Sequence, residues 1–434
     1  MKTPICDFIR DYTGKGMTRL HMPGHKGVGA PNDITEIPGA DCLYHAQGII
    51  AQSQDNAAKL FGAAKTVYSA EGSSLAIRAM VYLLRLYTGR KPVIAAGRNA
   101  HKTFVTACAL LDADVRWLWP SQKTDLVSCQ ITPEELEQFL QNTPVDGVYI
   151  TSPDYLGNVA DVAALAQVCH RHQALLLVDN AHGAYLKFLP QSCHPMDLGA
   201  DLCCDSAHKT LPVLTGGAYL HIAKAGFLAD HAETAMSMFA STSPSYLILQ
   251  SLDACNRYLS EEYPRKLKEL IPRICALKDR LEAAGYTMAG RESLKITIAP
   301  KSRGYTGTEL GQLLEEQNIV CEFCDPDYLV MMVTPENSLF DLQRMEEALC
   351  SVPQKTPILK TMPTMQRPVQ AMSMYDAILQ PGKKLPISQC AGRILASPTV
   401  SCPPAIPVLV CGETVTADAI AVMEYYGIQE LSVI

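Results

Sequence analysis

A lysine follows a short apolar run near the middle of the chain. The run Leu202-Cys203-Cys204 leads into Asp205-Ser206-Ala207-His208-Lys209. A lysine amine whose pKa is lowered in a desolvated site can attack an aldehyde and form a Schiff base. Ser206 and His208 are placed to bind a phosphate of the same aldehyde compound. For this stretch alone, a lysine exposed at a strand end is an equally good interpretation.

A second group of candidates is the run Gly72-Ser73-Ser74, which opens a predicted helix from Leu75 to Tyr87. The free N–H groups at a helix N-terminus, together with two hydroxyls, suit a bound phosphate. An ordinary serine N-cap has the same sequence, so this run by itself does not decide between the two.

Two further predicted strands end in residues that suit an aromatic cofactor. His101 lies in the loop after the run 92–96, where its flat ring either stacks on a cofactor ring or is an ordinary loop histidine. Asp179 ends the strongly apolar run 174–178, where a carboxylate is costly unless it has a partner. Ala181 is small enough to let a flat ring lie against the strand, and His182 follows it.

Taken together, these groups match the needs of pyridoxal 5'-phosphate (PLP). Its aldehyde requires the amine of Lys209, and its phosphate requires hydroxyls and backbone donors. Its pyridine nitrogen must stay protonated, and a nearby carboxylate such as Asp179 favours that form. The repeated order of strand, loop and helix predicts an α/β fold with a mainly parallel sheet and its functional groups at strand ends.

Composition limits the classes of function. The 434 residues are 48% hydrophobic and 19% charged, with a net charge of -7, which is typical of a soluble globular protein and gives no basic footprint for nucleic acid. No apolar run is long enough to cross a bilayer, and the N-terminus lacks the apolar core of a signal peptide. Sixteen cysteines in such a chain predict reduced thiols in the cytoplasm. The lone pair Cys321 and Cys324 lacks a second pair at zinc spacing, so we predict no metal site.

The length and changes in texture predict several segments. We expect an irregular N-terminal arm over 1–55, rich in Pro, Gly and His, a PLP-binding major domain over 56–290, a small α+β domain over 291–355 and a C-terminal subdomain over 356–434. A helix is predicted after Ser243, with Ser243 as its cap and Pro244 in its first position.

The order of these motifs resembles that of fold-type I PLP enzymes, and more narrowly the short form of the bacterial ornithine/lysine/arginine decarboxylases. The matching stretches cover nearly the whole chain. They are 21–27 (HMPGHKG), 33–39 (DITEIPG), 98–102 (RNAHK), 179–183 (DNAHG), 206–212 (SAHKTLP), 242–246 (TSPSY) and the Pro-rich run that ends in 411–413 (CGE).

This resemblance implies a role for each candidate residue. Lys209 forms the Schiff base, Asp179 pairs with the pyridinium nitrogen, His101 stacks on the ring, and His182 lies beside cofactor and substrate. The remaining implied contacts are Gly72, Ser73, Ser74, Ser206 and His208 with the cofactor phosphate, Ala181 with the ring, Thr242 and Ser243 with the site of a neighbouring subunit in a homodimer, and Glu413 with the distal cation of the substrate.

The implied reaction is decarboxylation of arginine, lysine or ornithine to the corresponding amine and CO2. The sequence leaves open which of the three is used, and whether Lys209 or His182 returns a proton to the α-carbon. Two alternatives also stay open: other PLP chemistry (an aminotransferase, for which Arg303 is a carboxylate-binding candidate, or a Cβ-lyase) and a non-catalytic homologue.

The chain departs from the family pattern at positions expected to contact substrate more than cofactor. Cys42 stands in place of an acid, and Asp154 and Leu156 stand in place of Thr and of Tyr or His. Ala405 and Cys411 replace Gly and Pro near Glu413.

Overall fold

The computed structural model describes residues 1–121, 128–402 and 406–434. In these residues the α-helices, in chain order, are α1 (Pro4–Gly14), α2 (Ile49–Phe61), α3 (Ser73–Thr88), α4 (Lys102–Leu110), α5 (Pro133–Asn142), α6 (Val162–Arg171), α7 (Ala207–Thr210), α8 (Phe227–Asp230), α9 (Ala232–Ser237), α10 (Tyr246–Glu261), α11 (Tyr263–Ala283), α12 (Gly307–Glu315), α13 (Leu339–Ser351), α14 (Met374–Ile378) and α15 (Ala417–Tyr425). Four short 3-10 helices span Leu43–His45, Ala184–Phe188, Pro300–Arg303 and Ile387–Gln389.

Most strands contain four or five residues. They are β1 (Lys65–Ser69), β2 (Val93–Gly97), β3 (Asp114–Leu118), β4 (Gly147–Thr151), β5 (Leu175–Asp179), β6 (Leu202–Asp205), β7 (Ala218–Ile222), β8 (Thr287–Ala289), β9 (Lys295–Ala299), β10 (Phe323–Cys324), β11 (Leu329–Met332), β12 (Lys383–Pro386), β13 (Thr399–Cys402), β14 (Ile406–Val410) and β15 (Glu430–Val433).

The chain forms two compact units, each built from separate stretches of sequence. Unit 1 contains Met1–Pro92, Leu136–Ser152 and Asp161–Lys268, and unit 2 contains Val93–Glu135, Pro153–Ala160 and Glu269–Ile434. The domain boundaries expected from the sequence stay predictions.

The sheet strands of unit 1 lie in the order β1-β7-β6-β5-β4. The pairs β4/β5 and β5/β6 are parallel, whereas β6/β7 and β7/β1 are antiparallel. In the β5/β6 register Asp179 lies opposite Cys204, so the carboxyl ends of these two strands meet at one edge. With the parallel pair β2/β3 of unit 2, three of these five strand pairs are parallel, which agrees with the predicted α/β class with a mainly parallel sheet.

Continuous apolar runs explain why these strands are central. Leu176, Leu177 and Val178 of β5 have no exposed surface, and all of β6 and β7 is buried. Strands that are covered on both faces read as unbroken apolar runs instead of alternating ones. Helix α3 ends at Gly89, whose φ of 63° is left-handed and suits glycine.

Unit 2 combines a parallel pair with antiparallel sheets. Strands β2 and β3 are parallel, and the four-stranded sheet β10-β11-β9-β8 is antiparallel. The smaller pairs are β12/β15 and β13/β14. Helices α12 and α13 each begin with a capping box, Thr306 with Glu309 and Ser338 with Asp341, which explains where these two helices start.

Two expectations about local structure were wrong. The N-terminal segment is not irregular throughout, because α1 occupies residues 4–14 with Ile5 and Ile9 buried on one face. Helix α10 begins at Tyr246 with Ser245 at its N-cap, two residues later than the predicted cap at Ser243.

A buried acid holds the start of α1. Asp253 accepts hydrogen bonds from the backbone N–H groups of Ile5 and Cys6, both at 3.0 Å, and from the Ser53 hydroxyl at 2.6 Å. A helix N-terminus offers unpaired N–H donors of this kind. The acceptor for this helix N-terminus therefore lies 248 residues away along the chain. The local periodicity of the sequence around α1 cannot indicate such a distant partner.

We expect Asp253→Ala to loosen α1, because it leaves two buried N–H groups without an acceptor, at a cost of about 1–3 kcal/mol. Hydrogen–deuterium exchange of the peptide covering residues 1–14 should accelerate. The exposed Asp279→Ala is the control and should leave exchange of this peptide unchanged. Unchanged exchange in Asp253→Ala would show that other contacts hold the helix.

Candidate active site

The tip of β5 carries the predicted acid. Asp179 is 2% exposed, and its carboxylate accepts a hydrogen bond from the Tyr149 hydroxyl at 2.9 Å and one from the Ala181 N–H at 3.2 Å. Ala181 is buried as well. A buried carboxylate needs such donors, and here the neighbouring strand β4 and the next turn supply them. Asp179 is thus held in one place at the sheet edge.

The predicted lysine lies at the adjacent strand tip. Strand β6 ends at Asp205, and Lys209 follows on the short helix α7. The Lys209 Nζ lies 3.1 Å from Nε2 of His182, which is buried three residues beyond Asp179. The structure therefore brings Lys209, His182 and the segment of Asp179 together.

The predicted phosphate-binding residues converge at the start of α3. Gly72 is its N-cap, with a left-handed φ of 73°, and Ser73 is its first residue. The Ser206 hydroxyl donates to Ser73 Oγ at 2.7 Å, so the turn before Lys209 meets this helix N-terminus. The Gly72 N–H donates to the Gly216 carbonyl at 2.7 Å.

The other predicted cofactor contacts lie near this group. Nδ1 of His208 is 3.1 Å from the Gly217 carbonyl oxygen, and Ser74 is the second residue of α3. Thr242 and Ser243 lie in an exposed loop, whose Ser241 N–H donates to Oε1 of Glu71 at 2.7 Å. Glu71 thereby connects this loop to the predicted phosphate-binding turn that ends at Gly72.

Two predicted site residues belong to unit 2. His101 is the N-cap of α4, where its Nδ1 accepts from the Thr103 N–H at 3.2 Å. Glu413 is 1% exposed, and its two carboxylate oxygens accept hydrogen bonds from Arg98 at 2.7 and 2.8 Å. The guanidinium of Arg98 also stacks against Trp117, 4.8 Å from the ring centroid. The sequence analysis did not foresee this partner for Glu413.

Comparison with known proteins gives a consistent result. Residues 30–300 match the model of the Orn/Lys/Arg decarboxylase major domain, and residues 354–431 match that of the C-terminal domain. The arginine decarboxylase of Bacillus subtilis (strain 168) is 30% identical over 462 residues, covering 97% of this chain and 92% of that protein. The chain belongs to the Orn/Lys/Arg decarboxylase family.

Further similarities agree with this family. The arginine decarboxylase of Bacillus anthracis is 28% identical, covering 96% of this chain and 91% of that protein. The crystal structure of the Francisella novicida lysine decarboxylase LdcF superposes with a TM-score of 0.81 at 15% identity, covering 100% of this chain and 81% of that chain. A structure of SPT with PLP gives a TM-score of 0.58 at 13% identity, covering 72% and 79%.

The decarboxylase family membership makes this protein a carboxy-lyase. It confirms the family resemblance and the fold class that the motifs implied, and the Francisella structure shares that fold. No helix in the described ranges combines the length and the apolar character that crossing a membrane requires.

The departures from the decarboxylase family pattern have structural partners of their own. Burial raises the pKa of Asp154, whose carboxylate accepts from the Ser128 hydroxyl at 2.6 Å and from the N–H of Asn158 at 2.8 Å. Leu156 is buried within an apolar cluster of unit 2. Asp154 and Leu156 thus stabilise their own unit.

The thiols among these departures are also partnered. Burial and then the neighbouring Glu36 raise the pKa of Cys42 to about 11, and its Sγ lies 3.1 Å from Oε1 of that acid. Cys411 is buried, with its Sγ 3.6 Å from the Met374 carbonyl oxygen. Ala405 lies outside the described residues.

The sequence analysis missed a buried polar cluster in this decarboxylase. His194, Asp205 and His221 have no exposed surface, and both imidazoles lie within hydrogen-bond distance of the Asp205 carboxylate, at 3.0 and 3.2 Å. His221 lies within the apolar run of β7, and an isolated histidine inside such a run was the one available signal. Burial lowers the pKa of His221 in spite of the neighbouring carboxylate.

The lowered pKa of His221 has a defined effect on stability. The unfolded chain takes up a proton on this histidine near pH 6.5, whereas the folded chain does so only at lower pH. The contribution of His221 to the free energy of unfolding is therefore complete above about pH 6.5. It is lost as the pH falls below that value, by at most about 1.4 kcal/mol per pH unit. We expect the fall in Tm of the cofactor-free protein between pH 7.5 and 5.5 to be smaller in His221→Gln.

Glutamine can still donate to Asp205 and accept from the hydroxyl of Thr66, which lies 2.8 Å from Nδ1 of His221. The exposed His45→Gln is the control and should keep the pH dependence of the unmodified protein. An equal fall in Tm for His221→Gln and the unmodified protein would contradict the assignment of a buried neutral imidazole.

Proposed function

We propose that this carboxy-lyase converts a basic amino acid, with arginine as its substrate, to the corresponding amine and CO2, and that PLP bound through Lys209 is its cofactor. The observation that carries this proposal is the juxtaposition at the tips of β5 and β6. There the Lys209 amine lies 3.1 Å from Nε2 of His182. His182 belongs to the same segment as the buried Asp179.

The residues present fit PLP. Lys209 offers the amine for its aldehyde, and Ser73 and Ser206 offer two hydroxyls 2.7 Å apart at a helix N-terminus for its phosphate. Gly216 keeps this turn compact, since a Cβ there would lie 2.9 Å from the Ala70 carbonyl oxygen. Asp179 offers an oriented carboxylate for the pyridine nitrogen. These are three separate demands of one molecule.

When bound, PLP supplies an electron sink for the electrons left behind as the carboxylate departs. Asp179 keeps the pyridine nitrogen protonated, because a carboxylate at hydrogen-bond distance favours the charged form of that ring. Tyr149 and the Ala181 N–H hold the carboxylate oriented for this task. Lys209 Nζ and His182 Nε2 lie close enough to exchange a proton, so either can return one to the α-carbon.

Arginine is favoured by the relatives that match over almost their whole length. Both Bacillus proteins described above are named arginine decarboxylases, at 30% and 28% identity. The lysine decarboxylase LdcF is similar at 15% identity, a level that supports the fold alone. Substrate choice therefore rests on sequence relatives instead of on structural ones.

The contacts of Arg303 argue against an aminotransferase. Its guanidinium donates to the backbone carbonyls of Ala284 and Val352, and it stacks on Tyr286 with 4.5 Å to the ring centroid. A guanidinium engaged in this way is occupied within unit 2. It supports a structural role for Arg303 instead of one in binding a substrate carboxylate.

We further propose that the protein acts in the cytoplasm as a homodimer whose Thr242 and Ser243 reach a neighbouring site. The exposed loop of these two residues, tied by Ser241 to Glu71, is consistent with such a contact. The fifteen cysteines whose side chains are described are free thiols, which fits a reducing compartment.

The reaction is tested by supplying PLP and carboxyl-labelled arginine, lysine and ornithine in parallel. We expect labelled CO2 from arginine at a rate at least about tenfold above the other two, with the amine as co-product. Faster release from lysine or ornithine would overturn the choice of arginine. Production of a keto acid without CO2 would overturn decarboxylation.

The role of Lys209 is tested by Lys209→Ala. Removal of the amine should abolish both the visible absorption of the PLP-loaded protein and CO2 release. Both depend on the Schiff base, and Lys209 supplies the amine that forms it. The exposed Lys268→Ala is the control and should retain both. Visible absorption that persists in Lys209→Ala would assign the cofactor to another residue.

A further inference from the structure

A fully buried carboxylate, Asp205, lies directly before Ser206 at the end of β6. Its Oδ1 accepts from the Asn180 side-chain amide at 2.6 Å, and its Oδ2 accepts from Nε2 of His194 and His221 at 3.0 and 3.2 Å. None of these four side chains has exposed surface. We call these four residues the Asp205 cluster.

The anion of the Asp205 cluster is the Asp205 carboxylate. Burial acts to raise the pKa of Asp205, but the two imidazoles outweigh it and hold that pKa below its usual range. Burial keeps the pKa of His221 low. The anion is held by three N–H donors, and each donor is needed because an isolated buried charge is costly.

A metal ion is the alternative occupant of such a cluster, since ligand atoms of His194, Asp205 and His221 lie within 4.8 Å of one another. The hydrogen bonds argue against it. The Met196 N–H, which can only donate, points at Nδ1 of His194 at 3.3 Å, so the ring proton lies on Nε2. A protonated Nε2 donates to Asp205 and has no lone pair for a metal.

The Asp205 cluster connects the two segments that carry the active-site groups. Asn180 follows Asp179, and Asp205 begins the turn that leads to Lys209. In the parallel register Asp179 lies opposite Cys204, so Asn180 and Asp205 are the next residues on each strand, with side chains on the other face. Their side-chain bond fastens the two tips together beyond the last ladder bond, from Asn180 N–H to the Cys204 carbonyl at 3.0 Å.

The two histidines extend this connection to the rest of the sheet. His221 belongs to β7, and its Nδ1 lies 2.8 Å from the hydroxyl of Thr66 on β1. His194 comes from the loop before β6 and packs on Phe61, with 5.2 Å between ring centroids. One carboxylate therefore joins four neighbouring strands behind the edge where Asp179 and Lys209 meet.

We propose that Asp205 is a positioning residue that fixes the separation of Asp179 from Lys209, and with it the affinity for PLP and the protonation of the bound cofactor. This inference rests on the proposed function, because it concerns the PLP site. Asp205 acts through Asn180 on one side and through the turn of Ser206 on the other.

The test substitutes Asp205→Asn. The amide has one oxygen for three N–H donors and adds a donor of its own, so the two strand tips lose their shared anchor. PLP is titrated into the cofactor-free protein, and its Kd and the pH midpoint of the visible absorption are measured. We expect the Kd to rise by about tenfold or more, and the midpoint to shift by more than about half a pH unit.

The matched control is Asp253→Asn, which neutralises another buried carboxylate of unit 1 that also accepts several donors. It should lower the Tm comparably while leaving the Kd for PLP within about twofold and the midpoint unchanged. If Asp205→Asn lowers the Tm but keeps the Kd and midpoint of the unmodified protein, Asp205 is only structural and the inference is overturned.

A milder variant keeps the test decisive if Asp205→Asn does not fold. Asn180→Ala leaves the carboxylate with both histidines and removes only the link between the strand tips, and we expect the Kd to rise about threefold with a shift of the midpoint. If the unmodified protein binds PLP and Asn180→Ala has the same Kd and the same pH midpoint, this inference is overturned and the proposed function stands. No PLP binding by the unmodified protein would overturn the proposed function as well.

Discussion

Parallel pairing between β5 and β6 brings the segment of Asp179 and the segment of Lys209 to one edge of the unit 1 sheet. The register that sets Asp179 opposite Cys204 fixes how far each strand extends past its neighbour. A slip of one residue would turn Asp179 to the opposite face, because side chains alternate along a strand. The proposed chemistry of this decarboxylase therefore depends on a backbone ladder whose strands are apolar and buried.

Two carboxylates at that edge show how burial and function are reconciled. Asp179 and Asp205 lie on opposite faces of neighbouring strands, and each is surrounded by hydrogen-bond donors instead of by lysine or arginine. The donors to Asp179, a tyrosine hydroxyl and a backbone N–H, are neutral and stabilise the anion without cancelling its charge. Its negative charge stays available to a cationic partner, which is what the pyridinium ring of the proposed cofactor would require of Asp179.

The sequence was sufficient to predict features that depend on local pattern. The apolar run before Asp179, the glycine and serines that open α3, and the lysine after β6 all lie where the pattern indicated. Features that depend on distant partners were not predictable. Helix α1 requires Asp253, and the buried state of His221 requires Asp205 and Thr66, which no single-sequence period connects. The cap predicted at Ser243 depended on Pro244 as the first helical residue, whereas helix α10 begins only after Ser245.

The ion pair between Arg98 and Glu413 has a consequence for engineering substrate range. Motif comparison alone nominates Glu413 as the acid to exchange when a different side chain is to be accepted. Yet Arg98 would then lie buried under Trp117 without its anion, and uncompensated charges of that kind cost about 3–5 kcal/mol. Libraries that vary Glu413 alone would therefore combine a loss of stability with any change of substrate preference. Varying both members of the pair together is the way to separate the two effects.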